Sequence, residues 1–305
     1  MSKQSDSLKV VFFAFLGNLF ITGGKLLVAL FTRSAAMLAE AVHSLADTLN
    51  QAFLWVGLRR SRRVTDEIHP LGCSAEVYFW SFLSAAFLFT LGAVFAIVEG
   101  IHKLIHPDSL RHLPLALGVL LVSMAVEAVS FRLVRRRTAG ERHGRSVLQT
   151  LRRSRKSELV VVFLEEWAAL AGLTVATAFL LLEWLTGILV FDALASIVIG
   201  LFLGAVALFM GAEIRSLLAG EGADPVMLAG VSQLLRREES IRRLVHLRSL
   251  RLGPDSVLLA ARIEFDDHLN AAEVGRLIEG IETDVRRDFP TVSKIYVEPD
   301  LFRPV

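Results

Sequence analysis

The chain has 305 residues, 53% of them hydrophobic, and a mean hydropathy of +0.53, which is more apolar than a water-soluble chain of this size carries and makes a bilayer its natural solvent. A formal net charge of only +2 calls for no nucleic-acid partner. The single cysteine, Cys73, excludes an intrachain disulfide framework.

In chain order, the polar start Met1 to Leu8 lacks a small-residue cleavage site after its first apolar run, so that run reads as a retained span and not a signal peptide. Crossing about 30 Å of hydrocarbon takes roughly 20 apolar residues. Six segments qualify, at about 8–31, 35–58, 76–104, 113–134, 158–182 and 184–210. Basic residues sort by loop. Arg59, Arg60, Arg62 and Arg63 follow the second span, and Arg135, Arg136, Arg137, Arg142, Arg145, Arg152, Arg153, Arg155 and Lys156 follow the fourth. The opposite loops hold little beyond Arg33 and Arg111, so the positive-inside rule places both termini in the cytosol. The expected division is a six-helix, all-α transmembrane domain over 1–216 and a small α+β cytosolic domain over 217–305. In that tail a helix at Pro225–Arg237 precedes a hairpin with arms at 243–251 and 256–265, turning at Gly253-Pro254-Asp255. Asn270 caps a second helix, Ala271–Asp288, which Pro290 ends before a last strand at 292–297.

Ionisable groups within a span cost roughly 3 kcal/mol each on insertion scales, so each one asks for a reason. His43 and Asp47 are four apart and share a face of the second span. Imidazole and carboxylate together suit a divalent ion such as zinc, but two ligands do not close a tetrahedral site. The fifth span offers Glu165 and Glu166, whose directions differ by about 100°, so at most one joins the pair directly. Such groups share protons when metal-free and release them on binding, which makes metal–proton exchange a consequence of the site. The plainer alternative is that His43 and Asp47 hydrogen-bond across helices to hold the bundle. Asn18, Lys25, Glu99 and Glu127 read as packing or charge-compensating residues, and Asp192 as a cap for its own helix. In the loop, Asp66, His69 and Cys73 gather a carboxylate, an imidazole and a thiol. His246, Asp266, Asp267, His268, Glu298 and Asp300 read as surface residues of the tail.

The run Ser34-Ala35-Ala36-Met37-Leu38-Ala39-Glu40-Ala41-Val42-His43-Ser44-Leu45-Ala46-Asp47, with His69-Pro70-Leu71-Gly72 and Asp192-Ala193-Leu194-Ala195-Ser196-Ile197, resembles the cation diffusion facilitator family over about residues 10–220. The resemblance implies His43 and Asp47 as transport-site ligands, a ferredoxin-like dimerisation domain in the tail, and a homodimer. It also implies a second ion at Asp66, His69 and Cys73, where Cys73 stands in place of a histidine. The family usually has His or Asp four residues before its fifth-helix acidic ligand, and here that position is Val162. The Leu164-Glu165-Glu166 run instead is similar to the branch of the mitochondrial zinc-transporter homologue. The expected cargo is zinc, with manganese or iron suited to an oxygen-richer site. No prosthetic group is expected, and the partners are divalent metal ions, protons and the lipid bilayer. Two other functions remain: a non-transporting regulatory subunit, and an intramembrane metallohydrolase, against which stands the lack of a His-Glu-x-x-His motif. The expected location is a bacterial inner membrane, with several passes.

Overall fold

The computed structural model describes residues 2–63, 65–107, 112–139 and 157–300. Its long helices are α1 (Ser2–Thr32), α2 (Ala35–Arg60), α3 (Glu76–Ile105), α4 (Leu113–Ala139), α5 (Ser157–Thr186) and α6 (Val190–Leu218). Of the basic segment read as a topology signal, residues 140–156 lie outside the described residues, as does Arg111.

Among the described residues, four stretches are long and apolar enough to cross a membrane: Glu76–Ile105, Leu113–Arg132, Glu166–Thr186 and Val190–Leu218. The chain is therefore an integral, multi-pass membrane protein. A shorter apolar stretch in α1 runs from Asn18 to Thr32. α2 falls below the same measure because its middle carries Glu40, His43, Asp47, Asn50 and Gln51.

The break between α5 and α6 lies later than expected. α5 continues to Thr186, and α6 starts at Val190 and not at Trp184. Glu183 looks like a polar interruption in the sequence, yet it is buried inside α5. The true stop is Gly187, with φ +70°, whose N–H donates to the Glu183 carbonyl at 2.8 Å. Glycine takes that left-handed backbone without strain, which ends a helix.

α3 contains a π-helical turn at Leu88–Val94. It packs closely on α6. A Cβ placed on Gly100 would lie 2.8 Å from the Ala193 carbonyl oxygen, and one on Gly200 would lie 2.8 Å from that of Ala93. Because 93 faces 200 while 100 faces 193, the helices run antiparallel, with small residues allowing the approach. Ser196 on α6 donates to the Ala96 carbonyl at 2.7 Å in the same seam.

By contacts the chain forms two compact units, Met1–Val56 with Trp80–Ile214, and Gly57–Phe79 with Arg215–Val305. In the second, α7 (Pro225–Arg237) starts with Pro225 in its first turn, and the Asp224 carboxylate accepts from the Val226 N–H at 2.7 Å. Strands β1 (Ile241–Gly253), β2 (Ser256–Phe265) and β3 (Val292–Pro299) form one sheet in that order. β1 and β2 pair antiparallel, and β2 and β3 parallel across α8 (Ala271–Asp288). Val257, Leu259, Ala261 and Ile263 alternate into the core with Val231, Leu235, Ile281 and Val285 from the helices. The expected hairpin turn and helix bounds hold. The Asn270 side chain accepts from the Ala272 and Glu273 N–H groups while Glu273 accepts from the Asn270 N–H, a reciprocal cap. The loop of this unit meets the hairpin at Gly253, where a Cβ would lie 2.4 Å from that of Ser74.

Candidate cation site

α2 is polar along two adjacent stripes. One holds Glu40, Ser44 and Thr48, each four residues apart, and α1 answers it with Thr22 and Lys25. Thr22 Oγ1 donates to the Ser44 carbonyl and lies 3.1 Å from Thr48 Oγ1. Lys25 Nζ donates to Ser44 Oγ at 2.8 Å and stands 3.7 Å from Glu40 Oε2. The antiparallel zipper satisfies polar groups that lipid could not.

The neighbouring stripe holds His43 and Asp47, with Nε2 and Oδ2 3.6 Å apart. That separation is too long for a hydrogen bond. The His43 side chain is 3% exposed and that of Asp47 31%. Neither His43 ring nitrogen has a hydrogen-bond partner among the described residues. An unsatisfied buried polar atom is costly, so each nitrogen calls for a partner. On α5, Glu166 Oε1 accepts from Ser130 of α4 at 2.8 Å, and Oε2 is buried without a partner among the described residues. Asp47 acts electrostatically on Glu166, and both act on Glu127 of α4. Four helices thus turn ionisable groups toward one region. Among the described residues, no three His, Cys, Asp or Glu side chains converge closely enough to hold a metal ion. The side chains of Glu165 and Val162 lie outside the described residues.

Two residues that the sequence reading did not count as ligands lie in this region: Glu127, read there as a packing or charge-compensating residue, which feels the charges of Asp47 and Glu166, and Glu40, given no role there, which is fully buried. Spacing could have shown Glu40, since Glu40, His43 and Asp47 are three and four apart. Glu127 gave no such signal.

Asp192 does not cap its own helix. Its carboxylate accepts from Ser34 Oγ at 2.5 Å, from the Ala35 N–H at 2.6 Å and from the Ala36 N–H at 3.1 Å, so it caps α2. Lys103 Nζ donates to the same carboxylate at 2.5 Å and to the Arg33 carbonyl at 2.6 Å. Glu183 in turn accepts from the Asp192 N–H at 2.9 Å. An anion at a helix N-terminus is favoured by the free N–H groups and the helix dipole. The whole cluster is buried, Asp192 completely.

In the loop, Asp66 Oδ1 accepts from the His69 N–H at 2.5 Å and lies 3.0 Å from His69 Nδ1. Gly72, at φ +91°, closes a turn onto the His69 carbonyl. Cys73 is buried while Asp66 and His69 are exposed. The hydrogen bond from the His69 backbone holds the Asp66 carboxyl below the ordinary carboxylate range. A depressed value means that this turn gains from the charge above the ordinary carboxylate range and loses the gain as pH falls through the lower folded value. Asp66→Asn is expected to remove that acid dependence, read from the pH titration of the His69 amide by NMR. An unchanged titration would assign the turn to Gly72 alone.

Residues 11–219 match the cation efflux transmembrane domain. The chain is 33% identical over 244 residues to the proton-coupled zinc antiporter SLC30A9, mitochondrial, of Xenopus laevis, covering 79% of this chain and 44% of that protein. It is 35% identical over 240 residues to metal tolerance protein C4 of Arabidopsis thaliana, covering 77% and 52%. It is also 21% identical to the manganese efflux system protein MneP of Bacillus subtilis over 97% of this chain and 96% of that one. The chain spans about half the length of the first two relatives. With the matched domain covering more than half of its residues, the chain belongs to the cation efflux family, the cation diffusion facilitators, a family of transport proteins and not of enzymes.

Proposed function

We propose that this protein moves a divalent metal ion, zinc foremost, out of the cytosol in exchange for protons, by alternating access across six spans. The observation that carries the reading is His43: a buried imidazole with both nitrogens unpartnered among the described residues, beside Asp47, whose charge in turn acts on Glu166. A histidine so placed has its nitrogen lone pair available to a cation. His43, Asp47 and Glu166 are the ligands we assign, with Glu165 beside them. Relatives named for zinc and for manganese support a divalent cargo. Carboxylates and an imidazole that share protons when empty must lose them to a metal, so proton exchange follows from the ligand chemistry.

We further read the region over 1–216 as the transport domain and 217–305 as a ferredoxin-like module that joins two copies into a homodimer. Both termini face the cytosol of a bacterial inner membrane. Asp66, His69 and Cys73 form a weaker loop site whose ion requires the loop to rearrange, since Cys73 is buried and the other two are exposed.

In proteoliposomes loaded with zinc- and pH-sensitive dyes, an imposed proton gradient is expected to drive zinc flux in the wild type. Asp47→Ala and Glu166→Ala are each expected to remove it, by at least about tenfold for loss of a metal ligand. Absence of zinc, manganese and iron flux from folded wild-type dimer would instead identify a regulatory subunit, with Val162 at the usual ligand position as the reason.

A further inference from the structure

Glu40 is the most completely buried carboxylate of α2, with no exposure. Neither of its oxygens has a hydrogen-bond partner among the described residues. The Lys25 ammonium supplies opposite charge at 3.7 Å but gives its hydrogen bond to Ser44, 2.8 Å away. The carboxylate has room only because Gly172 of α5 lacks a side chain, where a Cβ would come 2.7 Å from Glu40 Oε1. One turn along the helix, His43 also has both nitrogens unpartnered, and Glu40 is the charge acting on it most strongly. Glu40, His43 and Asp47 form a ladder at spacings of three and four on one face. Exposure falls along it from 31% at the Asp47 side chain to nothing at Glu40. Oxygen and nitrogen ligand atoms without hydrogen-bond partners, buried from water, are what a divalent cation satisfies.

We propose that Glu40 and His43 form a second cation station, one turn deeper than His43 and Asp47, at which the Lys25 ammonium is the resident counter-charge. The ion passes between stations by exchanging one carboxylate for the other while His43 stays a shared ligand. Lys25 competes with it at Glu40 and withdraws onto Ser44, the hydroxyl it already bonds. This rests on reading α2 as a wall of the transport site.

The test is zinc titration by calorimetry on the full chain in detergent, with gel filtration to establish folding. Asp47→Ala is expected to keep weakened zinc binding, and adding Glu40→Gln to weaken it by a further tenfold or about that. Lys25→Met, which removes a competing charge, is expected to bind zinc about fivefold tighter than wild type. A purely structural Lys25–Glu40 pair predicts no gain from Lys25→Met. Zinc binding by the wild type that vanishes in Asp47→Ala, or that is unchanged or weaker in Lys25→Met, overturns the second station alone. A folded wild type that binds no zinc overturns the transport-site reading itself, and the second station with it. If Glu40→Gln does not fold, Lys25→Met decides by itself.

Discussion

Replacing Asp192 with alanine is expected to destabilise the membrane unit by about 3–5 kcal/mol, the cost of removing one partner from a buried ion pair. Four donors lose their acceptor together: Ser34 Oγ, the Ala35 and Ala36 N–H groups, and Lys103 Nζ. Lys103 is 5% exposed and, among the described residues, keeps only the Arg33 carbonyl. Thermal unfolding in detergent measures the loss. The double variant Asp192→Ala with Lys103→Met removes the orphaned ammonium and should recover part of the difference. Equal loss in the single and double variants would assign the effect to the cap on α2 and not to the ion pair. Because the cluster fastens α2, α3, α5 and α6 at one end, the single variant should also weaken zinc binding at the site proposed around His43 through displacement of α2.

The second large effect lies in the α3–α6 seam. Gly100→Ala puts a methyl group 2.6 Å from Ile197 Cγ1 and 2.8 Å from the Ala193 carbonyl oxygen. The side chain can turn away, but the backbone oxygen cannot, so the helices must part. Overpacking of this kind costs about 1–3 kcal/mol. Gly200→Ala makes the reciprocal clash with Ala93 and Ile97, and the pair of substitutions together should prevent a monodisperse fold. Gly118→Ala is the control. Nothing lies within 4 Å of its added Cβ, and the gain in helix propensity should leave it unchanged or up to about 1 kcal/mol more stable. Equal behaviour of Gly100→Ala and Gly118→Ala, by melting temperature in detergent, would refute the close crossing.

Local chemistry explains which features were legible. The hairpin, α7 and α8 follow from Gly253-Pro254-Asp255, Pro225 and the Asn270–Glu273 cap, each acting within four residues of itself. The expected start of α6 at Trp184 gives way to Val190 because α5 runs on to Thr186 past a buried Glu183. Its burial depends on the Asp192 N–H, nine residues on, which no local pattern reveals. The role of Asp192 was hidden for the same reason, since its partners lie at the start of α2 and the end of α3. His43 and Asp47 were legible because their spacing is itself helical. Glu40 shares that spacing, but its meaning needed Lys25 from α1 and Gly172 from α5, both known only once the helices pack.

The bond between Asp192 and the start of α2 joins residues 156 to 158 positions apart. A ribosome adding about 5–20 residues per second needs roughly ten to thirty seconds to travel from one to the other. Through that interval the first turn of α2 waits in the membrane with its N–H groups uncovered and Lys103, once made, without its anion. The helix carrying the proposed cation ligands is thus among the first to be synthesised yet gains its cap only after α6 is made, and the nascent chain passes through a stage in which α6 is the missing keystone.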